Sequence, residues 1–379
     1  MQGPIYLDHN ASTPLHPEVL EAMLPHLREG FGNPSSGHVY GRRERQALEL
    51  ARAQVAELLG CAPEEIVFTS GGTESNNLAL RGVAAALSRP AHLVTSFIEH
   101  PAVEQPCRAL EAAGWEVTRL GVDDQGRVRP EQAEAAMRPG IALVSLMHGN
   151  NETGSLQPVA EVAAAARRRA PGVVIHSDAA QSVGKVRTRV DELAVDLLTI
   201  AGHKLCAPKG IGALYVRRGT PLSPLLLGAG HERGLRPGTE PVALAVGLGA
   251  ACALASATLE VEAPRQRSLR DRLHGLLRDG VPALSLNGHP EERLPNTLNV
   301  SFPGVRGSAL LAATPGIAAS TGSACHEGGE RPSAVLLAQG VPPEQALGAL
   351  RLTLGRITTL DEVDRAGEEL VRAWRELTA

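Results

Sequence analysis

Short apolar runs that end in polar turns recur along the first two-thirds of the chain, and segments with apolar residues at helical spacing separate them. Residues 41–60, GRRERQALELARAQVAELLG, carry apolar positions three and four apart and close on Gly60. That is the pattern of an amphipathic helix with a glycine stop. EIVFTS follows as a strand, and GGTESNNLALRGVAAAL reads as a loop entering a helix. The same rhythm returns in HLVTSF, ALVSLMH, GVVIHSD, DLLTIAG and IGALYVRR. Strands alternating with helices predict an α/β fold, a mostly parallel sheet covered by helices on both faces.

Around residue 260 the texture changes. EVEAPRQRSLRDRLHGLLRDG is a charged amphipathic helix, and weaker strands such as NTLNVSF come after it. The expected division is a large domain over 16–259 and a smaller α+β domain made of 1–15 and 260–379.

Composition narrows the functional classes. The chain has 379 residues, 43% of them apolar and only 2% aromatic, so its core must be built from Leu, Val and Ala. A net charge of −4 without a basic tract argues against nucleic acid as the main partner. No apolar run reads as a membrane span, and MQGPIYLDHN lacks the shape of a signal peptide. Five cysteines give no disulfide framework. A cytoplasmic protein is expected.

In an open parallel sheet, ligands bind beyond the carboxyl ends of the strands, so the polar residues ending each apolar run carry the information. TSGGTESNN, residues 69–77, ends a strand with two glycines, then Thr73, then a helix. Backbone N–H groups there can close on an anion, although a tight turn capped by Thr73 gives the same pattern. IHSDAAQSVGK places Asp178 at a strand end and Gln181 three residues on. That carboxylate either caps the next helix or holds a proton on a ring nitrogen. LLTIAGHKLC places His203 and Lys204 after another apolar run, in a chain with only three lysines, Lys185, Lys204 and Lys209. A lysine amine can lose its proton, which arginine cannot. An anion cradle, a strand-end carboxylate and a strand-end amine are together what pyridoxal 5'-phosphate requires. A further oddity is Cys325 in STGSACHEGG, a cysteine with almost nothing apolar beside it.

The chain resembles the cysteine desulfurase and selenocysteine lyase family, among the fold-type I, class V aminotransferase-like pyridoxal phosphate enzymes. YLDHNASTP, GNPSSGHVYGR, FTSGGTESNNLA, EHPAV, NNETG, DAAQSVGK, GHK, RPGTE, GSAC and LRLTLGR stand in family order over nearly its whole length. The resemblance implies a seven-stranded type of sheet in the large domain and a catalytic cysteine carried by the small one. It implies that Lys204 attaches the cofactor, that Asp178 faces the pyridine nitrogen, and that Gln181 and Asn151 lie near the ring hydroxyl. His100 would stack on the ring and assist proton transfer. Gly72, Thr73 and His203 would hold the phosphate, joined by Thr239 from the other subunit of a homodimer. Asn33 and Arg351 would bind the substrate carboxylate. Cys325 would take the sulfur of L-cysteine as a persulfide and pass it to a protein acceptor, such as an iron–sulfur scaffold or a thiolation protein. Many relatives have Ser where this chain has Ala201, which offers the phosphate no hydroxyl.

Other readings exist. His326 directly after Cys325 looks closer to selenocysteine lyases, so L-selenocysteine is the alternative substrate. Cys206, two residues past Lys204, is the rival nucleophile, and the other three cysteines read as structural. Cys325, His326 and Glu327 in direct succession cannot easily converge on one metal ion. A catalytically silent scaffold conflicts with Lys204, Asp178 and Cys325 all being present.

Overall fold

The computed structural model of the chain describes residues 3–87, 89–138, 140–321 and 331–379. The helical spacing over 41–60 forms helix Val39–Leu59. His38 caps its start, Nδ1 accepting from Gly41 N at 3.2 Å, and Gly60 ends it at φ 71°, a left-handed conformation that glycine adopts without strain. Its apolar stripe of Leu48, Val55 and Leu59 is buried, each side chain contributing roughly 1.5–3 kcal/mol of transfer free energy.

The strands in chain order are β1 (Ile5–Tyr6), β2 (Ile66–Thr69), β3 (His92–Ser96), β4 (Glu116–Leu120), β5 (Ile141–Ser145), β6 (Val174–Asp178), β7 (Leu197–Ala201), β8 (Gly212–Val216), β9 (Ser285–Leu286), β10 (Thr297–Ser301), β11 (Ile317–Ala318) and β12 (Ala349–Thr353). Seven of them form one sheet in the order β2-β8-β7-β6-β5-β3-β4, in which only β8 runs against the others. One face packs on helices Val39–Leu59, Val159–Arg169 and the first half of Val242–Gly280. The other packs on Gly72–Ala86 and Pro101–Ala112.

A second core surrounds the antiparallel sheet β12-β10-β9. Leu269, Leu273 and Leu277 join it from the second half of Val242–Gly280, and Ile5 and Leu7 from the chain start. The helix therefore crosses residue 260 unbroken and feeds both cores.

The sequence suggested no membrane-spanning run. Helix Val242–Gly280 is in fact long and apolar enough to cross a membrane by length and composition. Its apolar character has a local cause. Ala245, Leu248, Ala251, Cys252 and Ala255 are buried in the main core. A Cβ on Gly249 would meet Ala51 Cα at 2.6 Å, so small residues let the two helices approach closely.

Candidate active site

The carboxyl ends of β6 and β7 and the start of helix Gly72–Ala86 open into one cavity of about 370 Å³. Gly72, Thr73, Asp178 and Lys204 line it, together with Asn10, Asn151 and Arg351. Parallel pairing of β6 with β7 sets Asp178 beside Thr199, and the chain then reaches Lys204 through a single tight turn, Gly202–Lys204. A Cβ on Gly202 would lie 2.8 Å from Ile211 O, which is why this turn needs glycine.

Gly71 is the N-cap of helix Gly72–Ala86 and brings no side chain to the helix end. The N–H groups of Gly72 and Thr73 thus keep their capacity for an anion, reinforced by the helix dipole. Glu74, in the same turn, does not cancel this. Its carboxylate accepts from Ser70 N at 2.6 Å and from Arg236 Nε at 3.0 Å. Ala201 lies directly under the cradle, its Cβ 3.3 Å from where a Gly72 Cβ would stand. A methyl group occupies the place the resemblance gives to a serine hydroxyl.

Asp178 is buried, and its oxygens accept from Asn76 Nδ2 at 2.7 Å and Ala180 N at 2.9 Å. Lys204 Nζ donates to the main-chain oxygens of Asn10, at 2.5 Å, and Ala11, at 2.8 Å. Burial first and the Arg351 guanidinium second lower the Lys204 amine to about 8, against the pull of Asp8 and Asp178. A larger share of this lysine is uncharged near neutral pH than of an ordinary one.

His100 caps helix Pro101–Ala112, its Nδ1 accepting from Ala102 N at 3.1 Å. That bond requires the ring proton on Nε2 in the neutral form. Burial, with the Lys204 charge adding, lowers its pKa against Asp178. Burial likewise brings His203 to about 4, with Lys204, Lys209 and Lys185 adding to the shift. Next to His100 in the chain, burial lifts the Glu99 carboxyl to about 8, although Met147 N and Ser96 Oγ both donate to its Oε1.

These residues fit pyridoxal phosphate. Asn76 Oδ1 is buried at the cavity wall without a hydrogen-bond partner. The uncapped helix start suits a phosphate, the Asp178 carboxylate a cationic ring nitrogen, and the Lys204 amine an aldehyde carbon.

Of the residues expected from the sequence, Gly72, Thr73, His100, Asn151, Asp178, Gln181, His203, Lys204 and Arg351 line this one cavity. Asn33 and Thr239 do not; both are exposed, and Asn33 Oδ1 accepts from Ser35 N at 2.9 Å. Cys325, with the whole stretch 322–330, lies outside the described residues. The chain approaches that stretch through Ser320, which pairs antiparallel with Arg351. Among the other cysteines, burial pushes Cys61, Cys107 and Cys252 up to about 12, which makes them poor nucleophiles.

Asn10, Asn76 and Glu99 were missed as site residues. Asn10 and Asn76 stand inside the quoted segments YLDHNASTP and TSGGTESNN, and Glu99 directly precedes His100, but neither amide nor an isolated Glu has a chemistry that singles it out.

The Aminotransferase class-V family matches residues 5–366. A cysteine desulfurase IscS from Dictyoglomus turgidum is 45% identical over 380 residues, covering 100% of this chain and 96% of that protein. A solved NifS-like protein superposes with a TM-score of 0.92 at 37% identity, covering 97% of this chain and 98% of that one. A structure described as SspA in complex with cysteine gives 0.80 at 37% identity, covering 92% and 98% respectively.

Proposed function

The chain belongs to the class V aminotransferase family, and within it to the pyridoxal phosphate-dependent cysteine desulfurases; from that premise we propose how its own residues remove sulfur from L-cysteine. One observation carries the reading. Lys204, Asp178 and the uncapped start of helix Gly72–Ala86 converge on a single cavity. When bound, pyridoxal phosphate supplies an electron sink that weakens the substrate bond from Cβ to sulfur.

Lys204 holds the cofactor covalently, and its lowered basicity suits an amine that must react uncharged. Asp178 keeps a proton on the ring nitrogen, with Asn76 and Ala180 N fixing the carboxylate. Gly72, Thr73 and His203 take the phosphate, while Gln181 and Asn151 face the ring oxygen. His100 presents Nε2 to move a proton. Arg351 and Asn33 receive the substrate carboxylate. The Cys325 thiol takes the sulfur atom: L-cysteine and the thiol become L-alanine and a Cys325 persulfide, with no net oxidation or reduction. A protein such as an iron–sulfur scaffold or a thiolation factor then accepts that sulfur in the cytoplasm. Thr239, exposed and outside the cavity of its own chain, supports a homodimer in which it completes the phosphate site of the other copy.

Borohydride reduction of the loaded enzyme followed by peptide mapping should fix the cofactor at Lys204. Mass spectrometry after one turnover with L-cysteine should find one added sulfur on Cys325. Cys325→Ala should keep the cofactor's visible absorbance and form almost no alanine. A cofactor label on Lys185 or Lys209, or a sulfur adduct on Cys206, refutes the assignment. Comparing kcat/KM for L-cysteine and L-selenocysteine decides the substrate preference.

A further inference from the structure

Two of the chain's three lysines meet at this site, although its 37 Lys and Arg residues are otherwise almost all arginine. Lys185 is buried behind the cavity and takes no part in the chemistry described above. Its Nζ donates to the Gln181 main-chain oxygen at 2.9 Å and to Gln181 Oε1 at 3.1 Å. Gln181 Nε2 donates in turn to Asn10 O at 2.9 Å, and the same Asn10 O accepts from Lys204 Nζ at 2.5 Å. Behind Lys204 a small cavity of about 30 Å³ is lined by both lysines, His9 and Cys206.

We propose that Lys185 is a positioning residue for the Gln181 carboxamide and, through Asn10, for the Lys204 amine. The proposal rests on the reading of Lys204 as the reacting amine.

A carboxamide can present either its oxygen or its nitrogen to a cavity, and neighbouring groups decide which. One N–H of Lys185 donates to Oε1 and holds that oxygen toward Lys185, while the other, to the Gln181 main-chain oxygen, fixes the amine in place. Nε2 is then left to Asn10 O and to the ring-binding side. The groups facing Lys185 are the Lys204 amine, the Arg351 guanidinium, the His9 imidazole and the Cys206 thiol. Among the described residues no carboxylate pairs with it. Arginine could not serve there, since its permanent charge would be buried without a counter-ion. An amine can be uncharged and still donate twice. Burial first and Lys204 second lower Lys185 to about 7, in keeping with that geometry. Lys204 is faced by Arg351, Asp8 and Asp178, and its charge is felt by His100, His203 and Lys185.

The small number of lysines makes this measurable. Full-length protein freed of cofactor and labelled with 13Cε-lysine gives one NMR signal for each of three lysines, assigned by Lys185→Met and Lys204→Ala. In the wild type, Lys185 should titrate at least about two pH units below the ordinary lysine value near 10.4. In Lys185→Met, Gln181 Oε1 is free to turn and accept from the Lys204 ammonium. The Lys204 midpoint should then rise by roughly one pH unit. Lys185→Gln, which keeps an N–H donor, should reverse much of that rise. A Lys204 midpoint that is unmoved or lowered in folded Lys185→Met overturns the proposal. So does a wild-type Lys185 that titrates at the ordinary value, a result that needs no variant to fold. A borohydride label on another lysine would refute the role of Lys204 without altering these midpoints, so the two failures are distinguishable.

Discussion

The cavity has two walls made in different ways. One is built from the ends of neighbouring strands in a single sheet, with Asp178 on β6 and Lys204 just past β7. Ladder hydrogen bonds fix those backbones, so the side chains inherit their spacing. The second wall gathers Asn10, Asn151 and Arg351 from remote parts of the chain, with Asp8 bonded to Arg351. Backbone pairing ties the chain start to Thr353 on β12, and side-chain bonds do the rest. Asn10 donates to Thr297 Oγ1 at 2.9 Å and to Asn151 O at 3.3 Å, and accepts from Asn296 Nδ2 at 3.0 Å. Asp178 and Lys204 thus sit on or next to backbone that the large sheet holds, whereas the Asn10 side chain depends on bonds that single substitutions can loosen.

The largest effect that can test this contrast lies on the sheet wall. Asp178→Asn keeps size and the strand intact but removes the charge proposed to hold a proton on the ring nitrogen. It should retain cofactor and reduce kcat at least ~100-fold, with KM changed far less. A kcat near the wild-type value would reduce Asp178 to a turn residue that merely accepts from Ala180 N.

The two walls also differed in how far the sequence disclosed them. Asp178, Lys204 and Gly72 announced themselves because each follows a short apolar run, and the sheet topology then brings such strand ends to one edge. Asn10 gave no such signal. Its partners Thr297 and Asn296 lie more than 280 positions away, and nothing local shows that the chain start docks between the two cores. Lys185 was visible as a rare lysine, but its burial behind Lys204 follows from how helices and strands pack around it. The change of texture near 260 falls inside a single helix that feeds both cores, because the charges beginning there resemble a new element when they mark only a new neighbour.

Asn10→Ala should produce an intermediate effect on the second wall. Loss of its amide removes one bond each from Thr297 Oγ1 and Asn296 Nδ2, which keep only the bond between their side chains and that to Leu354 O, at a cost of roughly 1–3 kcal/mol in unfolding free energy. The main-chain oxygen that accepts from Lys204 remains, held by the Asn10 N bond to Thr353 Oγ1 but no longer by the side chain. Denaturant unfolding should therefore move together with a drop in kcat. A destabilised variant with unchanged kcat would show that Asn10 supports the fold without positioning the amine.

The smallest effect concerns Asp8. Its Oδ1 accepts from Arg351 Nη2 at 2.8 Å, so a carboxylate of the chain already engages the guanidinium proposed for the substrate carboxylate. Two consequences of Asp8→Asn oppose each other. Losing an ion-pair partner could let Arg351 swing away, which would raise KM. Freeing its charge strengthens its attraction for substrate, which would lower KM. The second should win. Arg351 sits on β12 and still donates from Nη1 to Asn151 O at 3.1 Å, and asparagine still offers an oxygen to Nη2. For a partly exposed pair the gain is modest, about two- to fivefold in KM for L-cysteine, and it should shrink as ionic strength rises. Asp8 also raises the Lys204 pKa, so its neutralisation should lower that pKa and extend cofactor attachment to lower pH. A higher KM, or one insensitive to salt, would mean that Asp8 serves to orient Arg351 rather than to compete for it.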